Sequence, residues 1–105
     1  TASLVTVTPA LTNPEGLRAV DGKTLVATES GTDPKNGRLF QLALTSADTA
    51  TATTLRNHLN WPTSVTIAKG SYWVAEGQID QFLASAYGQP ANPELPFRVE
   101  RLVQQ

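Results

Sequence analysis

The chain has 105 residues, a formal net charge of −1, no cysteine and no methionine. That length allows one small domain or part of one, the missing cysteine excludes disulfides, thiolate metal sites and cysteine nucleophiles, and the balanced charge gives no electrostatic footing for nucleic acid or an anionic membrane. The single histidine, His58, leaves one imidazole base and no multi-histidine metal site in one copy; a hydrophobic content of 40% argues against disorder, and no apolar run nears the roughly 20 residues that cross a bilayer.

Short β-type runs follow one another between turn signals. In chain order the predicted strands are Ser3–Thr8, Gly16–Val20, Thr24–Glu29, Arg38–Leu44, Thr51–Arg56, Ser64–Ala68, Ser71–Ala75 and Phe97–Val103. Asp21-Gly22 marks a hairpin, and Asp33-Pro34-Lys35-Asn36-Gly37 is turn chemistry. Between the last two strands, Ile79, Phe82, Leu83 and Ala86 recur at helical spacing. Gln78–Ala86 therefore reads either as a short amphipathic helix or as an irregular loop pinned by Phe82 and Leu83. Pro90, Pro93 and Pro96 hold Gln89–Pro96 extended.

The chain repeats itself. Pro14 and Pro62 lie 48 residues apart, and the same offset pairs Leu17 with Val65, Gly22 with Gly70, Leu25 with Trp73, Val26 with Val74 and Ala27 with Ala75. Past Ala75 the match resumes only at Phe97–Val103, with Phe40 opposite Val99 at an offset of 59. A period of about 48 falls within the range of four-stranded propeller blades, roughly 40 to 50 residues. The expected fold is all-β: about two four-stranded antiparallel blades, at about 14–56 and 62–103, in strand order D-ABCD-ABC. The rim strand 3–8 would complete another blade. Trp73 and Val74 should be buried as Leu25 and Val26 are. Two such blades leave large apolar faces and an open edge, which favours association. The start at Thr1 rather than Met suggests a chain trimmed, processed or cut from a longer polypeptide.

Three stretches carry a family resemblance: NPEGLRAVDGKTLVATESG, WPTSVTIAKGSYWVAEGQ and PFRVERLVQ. Together they resemble the C-terminal part of a six-bladed propeller of the senescence marker protein / gluconolactonase group. The resemblance implies a lactonase- or esterase-like hydrolase that uses a divalent metal, usually Ca²⁺, at the mouth of a central channel. Pro14-Glu15-Gly16 stands where that family often has Pro-Asp-Gly, so Glu15 is the candidate metal ligand and catalytic carboxylate. Glutamate keeps the hard oxygen donor that Ca²⁺ prefers and is one methylene longer. The remaining ligands would come from other blades, either the rest of a longer polypeptide or copies of this chain closing as a homotrimer.

Asn13 and Asn60 precede the inner strands and could contact a ligand, or serve as turn residues. Arg18 could bind an anionic substrate, or pair with Glu15. Glu29 and Glu76 end equivalent strands and read as hairpin caps. Trp61 and Trp73 read as packing residues and His58 as a loop residue. A non-catalytic propeller scaffold or binding module, and a self-assembling propeller fragment, stand beside the hydrolase.

Overall fold

The structure, a computed structural model, describes residues 2–104. Its elements are β1 (Thr6–Thr8), β2 (Pro14–Ala19), β3 (Thr24–Glu29), β4 (Gly37–Leu44), β5 (Thr49–Leu59), β6 (Pro62–Ala68), β7 (Ser71–Glu76), α1 (Ile79–Ala86) and β8 (Val99–Val103). The strands form where Thr, Val, Leu and aromatic residues alternate or run together, and break at Gly, Pro and Asp clusters. The 79–86 segment is a helix whose residues are all at least partly exposed. Its N-cap, Gln78, clamps the extended segment that follows. The Gln78 side chain donates to the Glu94 carbonyl at 2.9 Å and accepts the Glu94 N–H at 2.8 Å.

The strands assemble as two sheets. One has five strands in the order β1-β5-β4-β3-β2, the other three in the order β6-β7-β8. This corrects the expectation of two four-stranded antiparallel blades in D-ABCD-ABC order. The N-terminal strand does not pair outside its own unit. It lies parallel to β5, with Thr6 opposite Thr49 and Thr8 opposite Thr51, so the larger sheet is mixed, and neither sheet closes on itself. The physical reason is the free edge of β5. Pairing there satisfies β5 backbone groups, and Val7 then packs onto an apolar cluster on the adjoining sheet face.

The sheets pack face to face. Val26, Leu39 and Leu59 from the larger sheet meet Val65, Tyr72 and Val74 from the smaller one, with Leu55, Ile67 and Leu102 at the margins. Two glycines permit this approach. A Cβ on Gly37 would overlap the Pro62 ring, and one on Gly16 would lie 3.0 Å from the Ser64 Cα.

The hairpins β2–β3 and β6–β7 share one plan. Each begins with proline opposite glutamate, Pro14 with Glu29 and Pro62 with Glu76, and each has a register shift just after it. The β6–β7 turn is tighter: Lys69 and Gly70 both have positive φ, at 49° and 73°, as a two-residue type I′ turn requires. The β2–β3 connection instead runs from Val20 to Lys23, closed by the Asp21 carboxylate accepting the Lys23 N–H at 2.8 Å. That difference corrects the alignment. Leu17 still answers to Val65, but Glu29 answers to Glu76, so Val26 matches Trp73 and Ala27 matches Val74. Likewise Leu39, not Phe40, matches Val99, because Leu39 faces Thr28 and Val99 faces Ala75. The expected burial of Trp73 is corrected with it. Val74 is buried, whereas Trp73 is only half-buried and donates its indole N–H to the Ala68 carbonyl at 3.1 Å.

Candidate interaction surface

The outer face of the larger sheet, turned away from β6–β8, carries a second apolar cluster. Ala27 of β3, Phe40 and Leu42 of β4, and Ala50 and Ala52 of β5 form it, with Leu25, Leu44, Val7 and Leu11 packed against them. Strand alternation puts these side chains on one face, because Leu25 pairs with Leu42 and Ala27 with Phe40. The segment around Val5, Val7 and Leu11 covers part of this face and the Arg38 guanidinium lies over the Phe40 ring at 5.2 Å, so the cluster itself is buried; a groove of about 350 Å³ remains against β2 and β3. Leu17 lies in that groove and is 53% exposed. Glu15 stands at the rim as the one charged side chain among the residues that line it.

The four candidate site residues do not converge on one centre. The Glu15 carboxylate accepts the Trp61 indole N–H at 3.3 Å. Asn13 has φ 53° and donates its side-chain amide to the Gly31 carbonyl at 2.9 Å. Arg18 donates to the carbonyl of its neighbour Leu17 at 3.0 Å, and it makes no ion pair with Glu15 among the described residues. Asn60 is buried, with its backbone N–H donated to Glu76 and its side-chain oxygen unpaired. His58 is exposed at φ 59° and donates its backbone N–H to the Asn36 side chain at 3.3 Å.

Sequence reasoning placed Glu29 and Glu76 at strand ends without seeing their partners. Both are buried, at 1% and 2% exposure. Glu29 accepts the Thr12 backbone N–H at 2.6 Å and the Arg38 guanidinium at 2.7 Å. Glu76 accepts the Asn60 N–H at 2.7 Å and the Arg98 guanidinium at 3.1 Å. Each glutamate thus ties the loop before one strand to the start of another, twice over in the same arrangement. The Ser30 and Gly77 N–H groups complete the parallel by donating to the carbonyls of Asn13 and Trp61. The legible signal was an arginine opening the strand that follows each glutamate.

The second copy adds one group. Glu100 stands in place of Phe40, beside Glu76, and accepts Arg56 of β5 at 2.8 Å. Burial, and then the neighbouring Glu100 carboxylate, push the Glu76 carboxyl above its ordinary value. The hydrogen bond with Glu76 in turn holds Glu100 below its own, with Arg56 acting in the same direction. Arg98 on Glu76 and Arg56 on Glu100 close in the two neighbouring carboxylates, and the Arg56–Glu100 pair clasps the larger sheet to the smaller.

No family model, no curated protein and no solved structure matches this chain. The resemblance to the senescence marker protein / gluconolactonase group is therefore corrected: no match supports it, and the mixed five-stranded sheet departs from a propeller blade. The lactonase reading and the propeller scaffold and fragment readings fall with the architecture they assumed. Among the described residues, no group of three or more His, Cys, Asp or Glu side chains gathers to hold a metal, so the calcium hydrolase description has no cluster behind it.

Proposed function

We propose that this chain is a protein-association module, in which the outer face of the larger sheet docks an apolar β-sheet surface of its partner. One observation carries the reading. An apolar groove of about 350 Å³ opens on this face, lined by Leu17 and Val5 at 53% and 44% exposure, above the Ala27 and Leu42 cluster. Contiguous apolar surface of that kind on a small domain marks an interaction site. The groove offers shape and apolar area rather than chemistry, since Glu15 is the one charged side chain that lines it.

A hydrophobic dye tests the reading. Dilute protein should enhance the fluorescence of anilinonaphthalene sulfonate, and Leu17→Glu should lose most of that enhancement with its thermal midpoint unchanged. Leu17→Lys, which attracts the anionic dye by charge, should lose it too. Equal dye binding by all three proteins would reject the docking face.

A further inference from the structure

The corrected repeat register says what fits the docking face. Leu17 and Ala19 of β2 correspond to Val65 and Ile67 of β6. Leu25 and Ala27 of β3 correspond to Tyr72 and Val74 of β7, and Leu42 of β4 to Leu102 of β8. Val65, Tyr72 and Val74 are the side chains that the smaller sheet buries against the larger one. The outer face of the larger sheet, covered in part by the 5–11 segment, is thus the structural repeat of the covered inner face of the smaller.

The converse also holds. Within the chain, the surface covering that inner face is built on Val26 and Leu39. Their repeats are Trp73 and Val99, which lie on the outer face of the smaller sheet. Trp73 is half-buried there and Val99 is 65% exposed. The Arg101 guanidinium lies over the Trp73 ring at 5.7 Å and donates to the Ser71 hydroxyl at 2.9 Å, so it extends along the face rather than away from it. The chain therefore carries both halves of its own sheet–sheet interface a second time, on opposite sides, exposed at Leu17 on one and Val99 on the other.

We propose that copies of this chain associate head to tail, the outer face of β6–β8 of one copy packing on the outer face of β2–β5 of the next. The inference rests on the docking reading above and names its partner as a second copy. The contact is heterologous, joining two different surfaces. Leu17 and Leu25 of one copy meet Trp73 and Val99 of the other, as Val65 and Tyr72 meet Val26 and Leu39 within the chain.

Two single-face variants test it by complementation. Leu17→Glu blocks one face and Val99→Glu the other, both at exposed positions. Sedimentation of the wild type across a dilution series should show species heavier than the 11.2 kDa monomer, with mass falling on dilution. Each variant alone should run as a monomer, and an equimolar mixture should give a heterodimer and nothing larger, since each brings the one face the other lacks. Thermal midpoints equal to the wild type establish that both variants fold. A wild type that stays monomeric overturns the proposal. So does a Val99→Glu chain that still assembles alone, which would mean like faces pairing with like. Dye binding by the wild type and by Leu17→Glu separates the two readings. If the wild type is monomeric but the dye binds and Leu17→Glu abolishes it, self-association falls and docking stands. If the dye ignores the face as well, both fall.

Discussion

At the residue scale the two buried glutamates govern local order. Glu29 is buried, with one carboxylate oxygen on the Thr12 N–H and the other on Arg38. Removing one or the other member of the Glu29–Arg38 pair should not cost the same. Arg38 is 42% exposed at its side chain, so it regains water when unpaired, whereas Glu29 at 1% does not. Arg38→Ala should therefore destabilise by about 3 kcal/mol, the lower end for stranding one member of a buried pair. Glu29→Gln keeps an acceptor for Thr12 and should cost only about 1 kcal/mol. Urea denaturation of the two variants measures the difference, and equal losses would show that Glu29 is neutralised by something other than Arg38. Both glutamates were legible in the sequence as strand-end residues. Their burial was not, because Arg38 follows Glu29 by 9 residues and Arg98 follows Glu76 by 22.

At the element scale, hairpin geometry decides which side chains share a face. The strings Val26-Ala27 and Val74-Ala75 look alike, and an alignment by letters joins them. The tighter turn at Lys69-Gly70 removes one residue from the second hairpin, and a one-residue slip in a strand exchanges its two faces. Hence Val74 repeats Ala27 and Trp73 repeats Val26. The approach of β4 to β6 is set just as locally. Gly37 is buried against the Pro62 ring, with no room for a Cβ. Gly37→Ala should force the sheets apart at that end and cost roughly 1–3 kcal/mol, as overpacking usually does. A fall in thermal midpoint with unchanged far-ultraviolet circular dichroism is the expected result. A midpoint equal to the wild type would show that Pro62 yields without cost.

At the scale of the whole molecule, the clasp of Glu76, Glu100, Arg56 and Arg98 links sheet to sheet and makes that docking sensitive to pH. The Glu76 carboxyl is raised in the folded state. Its contribution is therefore complete below its unfolded value near 4.5 and is lost as pH rises through the raised one. Glu100 runs the other way: its contribution is present above its unfolded value near 4.5 and is lost as pH falls through the lowered one. Glu76→Gln cannot ionise, yet it retains an acceptor for the Asn60 N–H and a donor for Glu100. Its stability relative to the wild type should rise as pH climbs from near 4.5 through the raised Glu76 value, while that of Glu100→Gln should fall as pH climbs from the lowered Glu100 value to just above 4.5. Denaturation curves taken at several pH values read this directly. Parallel curves for wild type and Glu76→Gln would mean that burial and Glu100 do not raise the Glu76 carboxyl.

What the amino-acid order determined by itself was local. Alternation of apolar and polar residues, with Gly, Pro and Asp at the breaks, located the strands to within a few residues and marked the hairpins as copies. The 79–86 helix was one of two open readings for the same kind of reason, since Ile79, Phe82 and Leu83 also suit a pinned loop. Only the tertiary structure decided the rest. The parallel pairing of β1 with β5 joins residues 43 apart in sequence, and no pattern within either strand specifies it, because the free edge of β5 and the apolar face beside it come into being only once the hairpins have formed. The same holds for the candidate surface. Glu15, Asn13, Arg18 and Asn60 were read from positions beside turns, but side chains come together by the packing of sheets, and packing gathered Leu17, Ala27, Phe40 and Leu42 instead.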